Sequence, residues 1–307
     1  MSAVLVATAA WAGTRWHSGT HTLAPPQART PKSVVITGML PNILGESSGI
    51  ATSRRFAGVL WTHNDSGDEP VIYAIDKTGR VLASFVVTGA QLDDWEDIAI
   101  MNCPDRERQH LDCLYIADTG DNLARRAFVT VYVVPEPDPT AAGGSRAART
   151  EPTSWIRVVY PDGAHDVEAM SVSPEGEILF FTKGRSGPIQ AYAVSRSAAL
   201  DHVWESSDPV TATHIGSLSF GPMRFLGRLV TGAAHAPNGN EIVLRTYTEL
   251  HFYERTASGR LEVSAEPCFF GAIEPQGEAV DFLDDARVIL TSETLRGRPG
   301  TIHEVEC

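Results

Sequence analysis

The chain has 307 residues, is 43% hydrophobic and carries 38 acidic against 25 basic residues, a formal charge of −13. That length and apolar content suffice for one all-β domain with a large core. The acidic excess leaves no basic footprint for nucleic acid and no electrostatic attraction to anionic membranes, so neither is an expected partner.

The first element in chain order is an apolar run from Met1 to Ala12, of secretory h-region length and ending in the small-x-small pattern Ala10-Trp11-Ala12. It is too short to span a bilayer. The basic n-region is missing, which fits either a start internal to a longer signal or an uncleaved anchor remnant. Residues 13–32 are rich in Pro, Thr and Ala without hydrophobic period and read as a disordered spacer. The expected organisation is therefore a leader and spacer over 1–32 and a single domain over 33–307, secreted or held in the cell envelope and monomeric.

From Ser33 onward the chain reads as strands. After Ser33–Leu40 a pattern recurs five times, starting at Glu46-Ser-Ser-Gly-Ile-Ala, Glu96-Asp-Ile-Ala-Ile, Glu168-Ala-Met-Ser-Val, Thr231-Gly-Ala-Ala-His and Glu278-Ala-Val-Asp-Phe. Each start leads through a turn to a second strand, such as Val59-Leu-Trp-Thr-His-Asn-Asp or Ile242-Val-Leu-Arg-Thr-Tyr, and then to a third, such as Val71-Ile-Tyr-Ala-Ile-Asp. β-Branched and aromatic residues at period two between Gly, Pro, Asn and Asp turns are strand chemistry. Fourth strands fall at Val81–Val87, Ser154–Tyr160, Val210–Leu218 and Leu261–Phe270, while the fifth repeat has only three before Cys307. Ser33–Leu40 supplies the missing one. The repeat predicts a five-bladed β-propeller closed by its N-terminal strand, with six blades as the alternative if the 72-residue gap after Glu96 hides another. Closure of this kind removes an exposed sheet edge. Trp61, Trp95 and Trp155 recur near blade strands and read as core.

Cys103 and Cys113 flank a polar loop between two strands and can staple it; Cys268 and Cys307 can pin the last strand to the body. Neither pair has metal-ligand spacing, so Cys103–Cys113 and Cys268–Cys307 disulfides are expected, which supports export.

The first strand of each propeller blade lines the central channel, so Glu46, Glu96, Glu168 and Glu278 should converge there with Thr231. Like charges cannot share a low-dielectric channel unless some are protonated or a cation neutralises them. An all-oxygen donor set suits Ca²⁺. The ends of the second strands add His63, Asn64, Asp65, Asp118, Asp121, Lys183, Arg245 and Glu293. Lys183 and Arg245 can clamp an anionic substrate group. Asp65 or Asp118 can orient or deprotonate a water that a metal polarises. The motifs Asp65-Ser-Gly-Asp68 and Asp118-Thr-Gly-Asp-Asn122 read as Asx turns or as peripheral calcium loops. His165 and His235 read as hydrogen-bonding residues. No nucleophile elbow, phosphate-cradling glycine loop or Ser/His/Asp set is present.

With Glu46-Ser-Ser-Gly-Ile-Ala leading to Leu60-Trp-Thr-His-Asn-Asp-Ser-Gly-Asp and Ile72-Tyr-Ala-Ile-Asp, the chain resembles phytase-like and SdiA-regulated-like bacterial propellers, and in layout the five-bladed calcium-dependent apyrases. The resemblance implies one Glu or Ser per blade on a central calcium, which by position falls here on Glu46, Glu96, Glu168, Thr231 and Glu278. It does not carry the reaction with it. The leading expectation is a calcium-dependent exported hydrolase of a small anionic ester, phosphoester ahead of lactone. The alternative is a non-catalytic binding propeller with a structural metal, and a third class is a lyase or carbohydrate-active propeller.

Overall fold

The computed structural model describes residues 28–67, 69–105, 107–140, 147–185, 187–202, 208–220 and 229–307. The expected leader lies outside these residues. The fold is a five-bladed β-propeller, each blade four antiparallel strands with the first innermost; blades 1 and 2 each add a short parallel strand at the outer edge, Ala148–Arg149 and Val210–Thr211. Blade 1 is built from Ser47–Thr52, Leu60–Asn64, Val71–Ile75 and Val81–Val86. Blade 2 is Trp95–Asn102, Asp112–Asp118, Val129–Pro135 and Ser154–Val159, and blade 3 is Val167–Val172, Ile178–Thr182, Ile189–Val194 and Thr213–Leu218. Blade 4 runs from Val230–His235 through Ile242–Thr246 and Glu249–Arg255 to Leu261–Phe269. Blade 5 takes Gln276–Phe282, Arg287–Glu293 and Thr301–Glu306 from the C-terminal end and Ser33–Met39 from the N-terminal side, which pairs antiparallel with Thr301–Glu306.

Inner strands show no polar alternation because a neighbouring blade covers each face. Leu60–Asn64, Ile178–Thr182 and Ile242–Thr246 are buried at every position, whereas the outer strands Val81–Val86 and Ser154–Val159 alternate. The apolar core is accordingly split into five clusters, one at each blade boundary, with Trp61, Phe85 and Trp95 between blades 1 and 2 and Met170, Phe180 and Tyr192 between blades 2 and 3. Trp155 is only partly buried and packs against the edge of the cluster between blades 1 and 2.

Both expected disulfides are present, Cys103–Cys113 and Cys268–Cys307, the second beside the seam where the two ends of the chain meet. Arg29 lies along blade 4, with Arg29 N donating to Pro267 O and Phe269 N to Arg29 O, both at 2.9 Å, and Lys32 N donates to Glu306 O of blade 5 at 2.7 Å.

The axis is tightly filled. Every inner strand carries a bulge at its start, and the extra residue is Ser48, Glu96, Glu168, Thr231 or Glu278 in the five blades. A small or short residue follows each: a Cβ on Gly49 would lie 2.6 Å from Ile98 N, and one on Gly232 would lie 2.7 Å from Glu278 O. Asp97 fills the space between them. Its fully buried carboxylate accepts from Ile98 N (2.9 Å) in its own blade, Met170 N (2.9 Å) in blade 3 and Ala233 N (3.2 Å) in blade 4. Burial pushes this carboxyl well up, and the three amide donors act against that shift.

Asp97→Ala strands three buried amides at once. Since each unsatisfied group costs about 1–3 kcal/mol, the substitution is expected to lower unfolding stability by at least about 3 kcal/mol, measured by denaturant titration.

Candidate functional site

Bulges aim side chains that regular pleating would alternate, and here they turn one polar residue per blade toward the axis. In four blades this residue is the one expected from the repeat. Blade 1 differs: the bulge residue is Ser48, and Glu46 lies two residues earlier with an exposed side chain. Ser48 Oγ donates to Glu96 O at 2.8 Å, and Thr231 Oγ1 donates to Gly277 O at 3.1 Å, so both hydroxyls also tie one blade to the next. The true register is visible in sequence once Ser48-Gly-Ile-Ala is set against Glu96-Asp-Ile-Ala.

Three carboxylates come together at the mouth. Oxygens of Asp65, Asp94 and Glu96 all lie within 4.8 Å of one another. Gly120 makes room for them, since a Cβ there would sit 2.2 Å from Glu96 Oε1 and 2.4 Å from Asp94 Oδ2. Asp94 is absent from the repeat, because it belongs to the loop that enters blade 2. Its position comes from Asp118, whose carboxylate accepts from Asp93 N and Asp94 N at 3.3 Å and is held by Arg126 Nη1 at 2.7 Å. Asp118 thus builds the loop beneath the cluster and is itself buried. In the same way Asp121 Oδ2 accepts from Arg125 N and Arg126 N at 2.7 Å, four and five residues on, which folds that loop back on itself.

The rest of the ring is also acidic. Lys183 is ion-paired with Glu168; burial works against its charge, but the carboxylates of Glu168, Glu278 and Glu96 outweigh that and raise its proton affinity. Gln276 Nε2 bridges Glu278 (2.9 Å) and Glu293 (2.7 Å), and the Tyr247 hydroxyl reaches Glu278 at 3.4 Å. Arg185, half exposed, stands 3.6 Å from Asp166 and 3.9 Å from Glu168. Arg245 does not face the mouth. It is fully buried, pairs with Glu274 and donates to Ala279 O and to Thr291 O (2.8 Å) across the boundary with blade 5. Gly277 beside it leaves the guanidinium its space. The expected anion clamp therefore loses Arg245. His63 is likewise withdrawn, buried against Trp95 and pushed down to about 4 by burial, so its imidazole is neutral.

Crowded acids hold protons. Burial, the hydrogen bond with Asp94 and the charges of Asp94, Glu168 and Glu278 push Asp65 up to about 8. Burial, then the charges of Glu278, Asp65 and Glu46, push Glu293 up to about 9, and Glu96 is raised well above the usual carboxylate range by burial and its neighbours. Asp65 Oδ1 is buried without a hydrogen-bond partner. Oxygen-only donors, an unpartnered carboxylate oxygen and mutual repulsion suit a hard divalent cation.

Among solved structures the chain is similar to the PQQ-bound form of an aldose sugar dehydrogenase from Streptomyces coelicolor, with a TM-score of 0.51 and 14% identity over 89% of this chain and 98% of that one. It is also similar to a putative gluconolactonase, with a TM-score of 0.43 and 12% identity over 85% of this chain and 74% of that one. At 14% identity the first of these likenesses is one of propeller fold alone. No family model and no curated protein sequence matches the chain. Among the described residues no helix is long and apolar enough to cross a membrane.

Two outcomes follow from this geometry. Asp65 and Glu293 ionise near pH 4 when unfolded and near 8 and 9 when folded, so the folded chain binds more protons across that interval. Their contribution is fully present below about pH 4, declines as pH rises and is gone once pH has passed 8 to 9; the melting temperature of chelator-treated protein should fall between about pH 4 and 9 and level off above, and Glu293→Gln should flatten the fall. Arg245→Ala leaves Glu274 buried with only His303 beside it, 3.6 Å away, so it should cost about 3–5 kcal/mol in denaturant unfolding.

Proposed function

We propose that the channel mouth holds one hard divalent cation, calcium by its donor set, on Asp65, Asp94 and Glu96, and that the chain is a metal-dependent hydrolase of a small ester. The observation that carries this reading is the convergence of three carboxylates whose oxygens lie within 4.8 Å of one another. A cation there would neutralise the crowded acids and act as a Lewis acid on an ester carbonyl. Asp118 and Arg126 hold the Asp94 loop in place, and Gly120 keeps the three side chains close. Glu293, with its proton retained to about pH 9, is placed to supply an acid at the mouth, while Gln276 keeps its carboxyl beside Glu278. Lys183 offsets part of the charge of Glu168 and Glu278.

Charge balance narrows the substrate. With Arg245 committed to Glu274 and Lys183 to Glu168, acids outnumber bases at the mouth, which favours an uncharged lactone or carboxylic ester over the phosphoester suggested by the sequence. Two disulfides, which persist in oxidising compartments, support a protein that works outside the cytoplasm, as its resemblance to exported propellers implies. The internal commitment of Lys183, Arg245 and Asp118 favours a second reading, a non-catalytic propeller whose cation is structural.

Calcium at a hundredfold excess over its Kd should stabilise the wild-type chain by about 2.7 kcal/mol. Gly120→Ala, which pushes on Glu96 and Asp94, should remove most of that gain while leaving the chelated protein's melting temperature unchanged, and Glu96→Gln should weaken calcium binding by calorimetry. A panel of lactones and carboxylic and phosphate esters then separates the readings. Calcium-dependent turnover that Gly120→Ala abolishes supports the hydrolase; calcium stabilisation without turnover leaves the structural cation; no calcium effect on stability removes both.

A further inference from the structure

Blade 2 meets blade 1 over its inner strands and again where Ala148–Arg149 and Thr153, leading into its fourth strand, bond to Val86 and Thr88 of blade 1. Between them a groove of about 400 Å³ opens, floored by Tyr132 and Trp155, which are direct cross-strand partners. Trp155 and Arg157 lie two residues apart on one strand and share this face, with Thr130 opposite Arg157. Phe128 forms one wall, 37% exposed, with the Arg157 guanidinium 4.7 Å over its ring. Exposed Gln91 and Asp93 form the other.

Trp155 is the unusual member. Of the three tryptophans among the described residues, Trp61 donates to Glu136 Oε1 at 2.8 Å and Trp95 to Gln91 O at 2.9 Å. Trp155 is half-buried, and among the described residues its indole N–H donates to nothing and its ring stacks on nothing. An indole set at a cavity floor with an unspent donor offers a flat apolar face and one directed hydrogen bond. The charges cancel: Arg126 binds Asp118 at 2.7 Å and lies 3.7 Å from Asp93, so two guanidiniums, Arg126 and Arg157, face two carboxylates. Such a groove does not select an ion. It suits a ligand with a flat C–H face for the indole, oxygens to accept from Trp155 Nε1 and the rim amide, and hydroxyls to donate to the 70% exposed Asp93.

We propose that this groove binds one pyranose ring of a neutral saccharide. Its recognition is independent of the cation at the mouth, although the same Asp118 and Arg126 that brace the Asp94 loop form the inner end of the groove.

The test uses the intact chain with methyl β-glucoside, methyl α-mannoside, maltohexaose and cellohexaose, and with sodium benzoate as a flat anion, followed by saturation-transfer NMR and tryptophan fluorescence. At least one neutral sugar should bind, unchanged by chelator and by Glu96→Gln, and Trp155→Ala should weaken it at least about tenfold. Trp155→Phe keeps a smaller ring face and loses the N–H bond, so it should weaken binding less than alanine does and stands in if the alanine variant fails to fold. The proposal is overturned if no sugar of the set binds, if benzoate alone binds, or if the folded Trp155 variants bind as tightly as wild type.

Discussion

One carboxylate crosses the axis of this propeller. Asp97 sits in the inner strand of blade 2 and accepts amides from blades 3 and 4, each two residues beyond the bulge residue of its own blade. Five inner strands cannot meet around so narrow an axis with side chains on every residue, which is why Gly, Ala and this single Asp follow the bulges. Because Asp97 is buried and its acceptor sites are filled, the register of Glu96, Glu168 and Thr231 relative to one another is not free to slip.

That register concentrates acid at one end of the channel. The bulges bring Glu96, Glu168 and Glu278 inward, and loops add Asp65 and Asp94 from blades 1 and 2. The fold answers the repulsion in three ways: Lys183 pairs with Glu168, Gln276 bridges Glu278 and Glu293, and several carboxyls take up protons. What is left unanswered is the Asp65, Asp94 and Glu96 cluster, with a buried oxygen lacking a partner. Other buried polar atoms also lack partners, among them Glu136 Oε2, Tyr160 OH and Ser171 Oγ, but only here does such an atom belong to three converging carboxylates among the described residues, the arrangement that marks a functional site.

The repeating strand chemistry made the blades, the closing strand and both cysteine pairs legible, since each depends on period-two patterning or on spacing along the chain. The finer site was legible only in part. A bulge adds a residue without changing composition, so Glu46 looked equivalent to Glu96 although Ser48 holds that place. Arg245 sits at the expected strand end, yet its direction is set by Glu274, a loop residue outside any repeat. Asp94 escaped notice for the same reason. Trp155 follows the alternation of its strand, but whether a neighbouring blade covers it depends on where that blade's outer strand ends, which no local pattern reports.

The cation at the mouth is the claim on which the functional account turns, and anomalous diffraction from crystals grown with calcium and exchanged into manganese tests it most directly. The account predicts one strong peak bonded to oxygens of Asp65, Asp94 and Glu96, at about 2.3–2.6 Å for calcium. A channel without a peak, or a peak held elsewhere while these three carboxylates bond only to water and to one another, would contradict it.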